Sequence, residues 1–514
     1  MDQSTENRTH REIMVVISAL MLAMLLAALD QTIVATALPR IASDLHGLNK
    51  LSWVATAYLL TSAVTTPLYG KISDQIGRKK VFQFAIIIFL LGSALSGISQ
   101  NMDQLVAFRA LQGLGGGGLI SLSLAVVGDV IPPRQRGKYQ GYFGAVFALA
   151  SVAGPLLGGF FTQSLSWRWI FYINLPIGII AEIAIASRLH VHETKHKHNF
   201  DILGSSLMII SLVALIGALT FGGVTYPWGS WQVVTMFIVA VLAGLGLVGW
   251  ETRAKEPIMP LPLFKEGIFT VSSLLSLISG IILLGTIIFL PEYLQIVKGA
   301  TPTASGLYLL PLVGGMLVSS VLSGRLITRY GKYKVYPIAG SIVIGCGLWL
   351  FSHIGINTSE GVLSLWMIVT GLGIGSFMQV MTLAVQNSVK REELGTATGL
   401  VTFFRSLGSS IGTAIFGVIL TGALTYNLEK ELPKSLALKA KSALINGAST
   451  AGSAHPPHVI LIAFSKSFQT IFIDAIPFAV ASLILAFMLK ETPLKSGKEA
   501  AERANEMVSE GGMV

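Results

Sequence analysis

Ile13-Met-Val-Val-Ile-Ser-Ala-Leu-Met-Leu-Ala-Met-Leu-Leu-Ala-Ala-Leu-Asp30-Gln-Thr-Ile-Val-Ala-Thr-Ala-Leu38 is an apolar run with one carboxylate inside it. It exceeds the roughly 20 residues that a helix needs to cross a hydrocarbon core about 30 Å thick. A charge at the centre of such a helix costs roughly 2.5–3.5 kcal/mol on insertion scales. A chain that keeps one uses it to bind a cation, a proton or both.

Similar runs fill the chain. Of 514 residues, 52% are hydrophobic and only 12% charged, with a mean hydropathy of +0.69. The runs are helix-length and not ten-residue alternating strands, so helices are the only spanning structure that fits. The 54 glycines suit helices that approach closely in lipid. The net charge of +10 does not point to nucleic acid, because the basic residues sit in short loops between apolar runs. A single cysteine, Cys346, excludes an intramolecular disulfide. The first run is too long for a cleavable signal and is read as a retained span.

Fourteen spans are expected, at 13–38, 52–70, 81–99, 104–127, 138–161, 170–188, 202–222, 232–251, 268–290, 303–325, 335–353, 362–386, 396–420 and 469–490. With the N-terminus inside, inner segments together with the inner ends of the spans hold 25 of the 36 lysines and arginines, outer segments 9 and the span interiors 2, Arg109 and Arg405. This bias places both termini in the cytoplasm. Trp53, Trp167, Trp169, Trp228, Trp231, Trp349 and Trp366 fall near outer ends, where an aromatic belt belongs.

The loop Gly70-Lys-Ile-Ser-Asp-Gln-Ile-Gly77-Arg-Lys-Lys80 returns as Gly324-Arg-Leu-Ile-Thr-Arg-Tyr-Gly331-Lys-Tyr-Lys334, and Gln112-Gly-Leu-Gly115 is echoed by Thr370-Gly-Leu-Gly373. The expected fold is therefore an all-α integral membrane protein of 14 transmembrane helices, two six-helix bundles related by internal repeat plus two inserted helices. The divisions are a cytoplasmic tail 1–12, a first bundle 13–190, linkers and extra helices 191–267, a second bundle 268–490 with a long outer loop 421–468, and a cytoplasmic tail 491–514. Parallel repeats of this kind are a transporter feature and place a site between the halves near the midplane.

At these residues the chain resembles the fourteen-span drug/proton antiporters of the major facilitator superfamily, over nearly its whole length. The first-span segment Leu29 to Pro39, the loop Gly70 to Lys80, Arg109-Ala-Leu-Gln112-Gly113, and Gly154-Pro155-Leu-Leu-Gly158-Gly159 carry the match. Trp167-Arg-Trp-Ile-Phe-Tyr-Ile-Asn174-Leu-Pro176 and Phe404-Arg405-Ser-Leu-Gly408 are also similar to that branch. The resemblance implies an inner-membrane, multi-pass exporter that exchanges hydrophobic, cationic small molecules for protons.

Asp30 is the expected proton and cation site: burial disfavours a charged carboxyl and a nearby cation favours it, so proton and substrate can compete. Arg109 and Asp30 lie at depths that differ by only ~4–5 Å at about 1.5 Å rise per residue, and the resemblance gives Arg109 a role in proton handling with Gln112 as its partner. Glu182, near mid-depth, is a second coupling candidate. Asp74 and Arg78, with Gly70 and Gly77 permitting a tight turn, are by resemblance a latch at the cytoplasmic ends. Thr328 stands where Asp74 would be in the second copy. Gly154, Pro155, Gly158 and Gly159 bring close packing and a kink, which the resemblance links to antiport. Glu292, Arg405 and Asp474 are further intramembrane ionisables, and Arg405 needs a partner that the sequence does not name.

His192-Glu-Thr-Lys-His196 fits a zinc-protease pattern but sits in a short basic linker, so no metal is expected. No nucleotide-binding loop or catalytic constellation points to an enzyme, and no cofactor is implied. The expected partners are substrate, protons and the lipid bilayer, with no nucleic acid and a monomeric chain. Residues 428–445 could form a helix at the membrane surface. An exporter of lipids or other amphiphiles is the nearest alternative; a non-transporting sensor fits poorly with the repeat.

Overall fold

The computed structural model describes residues 10–45, 50–189, 201–223, 225–431, 458–492 and 494. The first half comprises α1 (His10–Asp44), α2 (Leu51–Ile76), α3 (Arg78–Ile98), α4 (Met102–Val130), α5 (Pro133–Ser164), the short α6 (Trp169–Tyr172) and α7 (Asn174–Arg188). Two helices follow, α8 (Ile202–Phe221) and α9 (Trp231–Glu251). The second half has α10 (Gly267–Ile296), α11 (Pro302–Tyr308), α12 (Leu310–Tyr330), α13 (Val335–Phe351), α14 (Glu360–Met378), α15 (Val380–Ser388), α16 (Leu394–Glu431) and α17 (His458–Met488). No strand occurs among the described residues.

Twelve described helical segments are long and apolar enough to cross a membrane. The expected count of fourteen is not reached by that measure: α13 is apolar but shorter, and α2 is not among the twelve. The loop expected at 421–468 needs correction. α16 continues to Glu431 and α17 already begins at His458. Hydropathy marks only the hydrocarbon-embedded part of a helix, whereas the backbone ladder propagates one residue at a time beyond it. The expected surface helix at 428–445 is partly this continuation, and its remainder lies outside the described residues. So do the His192–His196 linker and nearly all of both tails.

The repeat is visible in packing. α1 lies on α5, α2 on α4, and α3 on α4; in the same order α10 lies on α16, α12 on α14, and α13 on α14. The two halves touch through α2 with α16 and α12 with α5. Gly77 (φ 109°) and Gly331 (φ 73°) both turn the chain with a positive φ, where a side chain would be strained. Gly70 has another task than the expected turn: it sits inside α2, and a methyl group there would collide with the carbonyl oxygen of Gly395. Gly324 makes the equivalent close crossing, against Gly137. α8 packs on both α2 and α16 and so covers that seam between the halves, while α9 packs on α8.

Candidate functional site

Four helices of the first half converge on Asp30, which is fully buried at 0% exposure. Arg109 and Gln112 are three residues apart on one face of α4. Arg109 Nη1 lies 2.5 Å from Asp30 Oδ2 and donates to Gln112 Oε1 at 2.7 Å. Gln112 Nε2 donates to Asp30 Oδ1 at 2.9 Å, and Asn174 Nδ2 donates to the same oxygen at 3.2 Å and to Ser93 Oγ at 3.0 Å. Arg109 Nε donates to the Val54 carbonyl at 3.3 Å, and its guanidinium stands 4.3 Å from the Tyr58 ring centroid. Each buried charge therefore has an opposite charge and further hydrogen bonds, the condition under which a buried pair is tolerated. Gly113 allows this: a methyl group there would collide with Thr61 Oγ1 and the Tyr58 carbonyl, pushing α2 off α4.

The Gly154–Gly159 stretch packs against the helix that carries Asp30. Methyl groups at Gly154 and Gly158 would collide with Thr32 Oγ1 and Thr36 Oγ1 on α1. Thr32 Oγ1 in turn donates to the Ala150 carbonyl at 2.9 Å. Pro155 lies inside α5, and Gly159 is buried. The α1 segment just after Asp30 is thus held close to α5 by glycines at the contact.

A second charged cluster closes one end of the bundle. Arg78 is shared between Asp74 (Nη2–Oδ1, 2.5 Å) and Asp129 (Nε–Oδ2, 2.7 Å). Asp74 crosses to the other half, accepting from Gly395 N at 3.1 Å, Thr396 N at 2.7 Å and Thr396 Oγ1 at 2.6 Å. These amides begin α16, where unpaired N–H groups and the helix dipole favour a carboxylate. At the repeat-related position Thr328 Oγ1 accepts from Lys138 N at 3.0 Å, a neutral contact between α12 and α5.

Above that closed end the halves enclose a cavity of about 800 Å³. Gln31, Thr56 and Phe147 of the first half face Leu284, Ile288 and the 402–429 stretch of α16, and Trp228 reaches it from the α8–α9 connection. Asp30 is not in its wall; its neighbour Gln31 is. Arg405 is in the wall. Glu182 is not brought to Asp30: its Oε1 accepts from Gln83 Nε2 at 2.7 Å, on the α3–α7 side. Glu292 lies one helical turn beyond the lining residue Ile288 on α10. Asp474 lies on an exposed face of α17, outside the cavity wall. Among the described residues no group of His, Cys, Asp or Glu could hold a metal ion.

Sequence reasoning missed Asp129 and Thr396 as partners of the closed end, and Asn174 and Tyr58 around the Asp30 pair. Asn174 had a signal, since it ends a stretch already singled out; the others are ordinary residues whose partners come from another helix.

The comparisons agree with this geometry. The family model described as Major Facilitator Superfamily matches residues 20–203 and 201–413. The multidrug transporter protein MdtP of Bacillus subtilis is 42% identical over 79% of this chain and 74% of its own length. Multidrug resistance protein 3 of the same organism is 35% identical over 98% of this chain and 100% of its own. The solved proton:xylose symporter XylE has the same fold, with a TM-score of 0.62 at 13% identity over 96% of this chain and 99% of that one. These relatives are transporters, not enzymes. With a charged, glycine-packed first half and a cavity between two repeated bundles, this multi-pass membrane chain belongs to the Major Facilitator Superfamily, among its drug-efflux members.

Proposed function

We propose that the chain is a proton-coupled exporter of hydrophobic small molecules, working by alternating access as a monomer in the inner (cytoplasmic) membrane. Counting α2 and α13 with the twelve long, apolar segments gives fourteen spans, and the lysine and arginine bias favours both termini in the cytoplasm. In that orientation the Asp74 end faces the cytoplasm and is closed, and the cavity faces outward. Asp74, Arg78, Asp129 and Thr396 hold this state; Gly70 and Gly324 let the crossings close.

The observation that carries the coupling is the position of Asp30. It is buried against Arg109, Gln112 and Asn174, yet adjacent in sequence to the cavity residue Gln31. A proton on Asp30 would cancel one charge of a tightly packed pair and shift the balance between two arrangements of α1 and α4. Coupling requires that proton and substrate bind the two states unequally. A cationic substrate was expected from Asp30's charge. A cation would meet Arg405 in the wall and find Asp30 already paired, so the proposal is confined to hydrophobic molecules without that restriction. Glu182, away from this cluster, is left out of it.

The test is uptake of a hydrophobic fluorescent dye into liposomes with an imposed pH gradient, wild type beside Asp30→Asn. Movement that needs the gradient and disappears in the variant supports the proposal. Equal movement without a gradient, or in the variant, refutes coupling through Asp30. Transfer of a fluorescent lipid, with no dye movement, would reassign the substrate to lipids and other amphiphiles.

A further inference from the structure

Arg405 differs from the other buried arginines. Arg78 and Arg109 are held by carboxylates, and Arg136 donates to the carbonyls of Ile131, Gln386 and Gly128. Arg405 is also buried, at 8% exposure, about a third of the way along α16. Yet among the described residues no carboxylate, carbonyl or hydroxyl accepts a hydrogen bond from its guanidinium. An unpaired charge in a membrane interior is costly, and where one persists it marks a ligand pathway.

Its surroundings form a built site. Arg405 lines the cavity between the halves. Its backbone is pinned by the α10 crossing, where Gly280 lies against the Arg405 carbonyl so closely that a methyl group would collide. The same wall carries Ser406, Ser410 and Thr413, but their hydroxyls already donate to the carbonyls of Thr402 (3.2 Å), Ser406 (3.3 Å) and Ser409 (2.9 Å). With their protons so engaged, these hydroxyls are left to act as acceptors. The guanidinium, with five N–H groups in a planar fork, is the strong donor left. Leu283, Leu284 and Ile288 make the facing wall apolar. The other charged lining residue, Glu429, is exposed near the end of α16, about 36 Å along the helix at ~1.5 Å per residue.

We propose that Arg405 docks the anionic group of a hydrophobic ligand, a carboxylate, sulfonate or phosphate, so that the cavity selects acidic amphiphiles over lipophilic cations. The fork donates to both oxygens of such a group, and the ligand's apolar body lies against α10. This deepens the export reading and rests on it for the direction of transport only.

The test measures binding and not transport, so its failure and that of proton coupling are separable. Full-length protein in phosphatidylcholine nanodiscs is titrated with 1-pyrenebutyrate and, in parallel, with the matched 1-pyrenebutyl-trimethylammonium, empty discs being subtracted. Wild type should prefer the acid. Arg405→Gln should lose about ten- to a hundredfold in acid affinity, with cation binding unchanged or tighter, and Arg405→Lys should fall between. Should Arg405→Gln not fold, the wild-type preference for acid over cation, and its loss with rising salt, carry the test. Absence of acid binding by folded wild type, a preference for the cation, or unchanged acid affinity in Arg405→Gln overturns the proposal. Discs containing phosphatidylglycerol distinguish two sources of the anion. Displacement of the probe assigns Arg405 to a lipid headgroup phosphate and retention assigns it to an exported acid; either supports anion docking.

Discussion

Replacing Asp74 by Asn should open the closed end of the bundle. The carboxylate accepts three hydrogen bonds from the start of α16 and faces Arg78 at 2.5 Å. Both side chains of the ion pair are over nine-tenths buried, so solvent screens them little. Asparagine keeps the shape and one acceptor oxygen but turns an amide N–H group towards donors. Hydrogen bonds to a charged group are worth about 1.5–3 kcal/mol each, and at least one across the halves is lost. That value already allows for rehydration of the open state, so the net shift is about 1.5–3 kcal/mol, or roughly 12- to 150-fold in the closed-to-open ratio. Spin labels at Ile76→Cys and Tyr330→Cys, on a Cys346→Ser background, read it as a distance distribution by electron–electron double resonance. Both sites are exposed, at 57% and 62%, and end α2 and α12 on opposite halves. Wild type should show the short distance, and Asp74→Asn a substantial long one. Superimposable distributions would refute the assignment of Asp74 as a tie between the halves.

Gly324→Ala should produce the same opening by a different cause, since its methyl group meets the carbonyl oxygen of Gly137, which cannot rotate away; an unchanged short distance would contradict the crossing. Asp30→Asn and Arg109→Gln should each destabilise by about 3–5 kcal/mol by stranding the other charge, and the double variant should recover much of that in a thermal-shift assay. Arg405→Leu should raise the apparent melting temperature, because it removes an unpaired buried charge; a fall would reveal a partner. Asp474→Leu should leave efflux unchanged, as its side chain is on an exposed face of α17 and outside the cavity wall.

Much of the arrangement could be read from the chain because it is periodic. The repeated Gly70 and Gly324 loops foretold two like halves, and both carry a positive-φ glycine at their turn. The nearness of Asp30 and Arg109 followed from depth alone, since two buried charges in one bundle seldom stay apart. What was not legible came from rotation about helix axes, which depth does not fix. Glu182 and Asp474 sit at plausible depths, yet one faces Gln83 and the other an exposed face. The early start of α17 was hidden for a related reason. Lys466, Ser467 and Gln469 interrupt the hydropathy while leaving the helical ladder intact.

The contact between Asp74 and the other half addresses mostly main chain. Two of its three bonds across the seam end on the N–H groups of Gly395 and Thr396, which any residue other than proline supplies. Shape demands glycine at 395, where a methyl group would meet Arg78, and at the facing Gly70, where it would meet the Gly395 carbonyl. A charged docking point of this kind does not require matched substitutions on its two sides. The halves can therefore diverge separately after duplication, and a chimera joining this first half to a relative's second half should still seat Asp74 correctly.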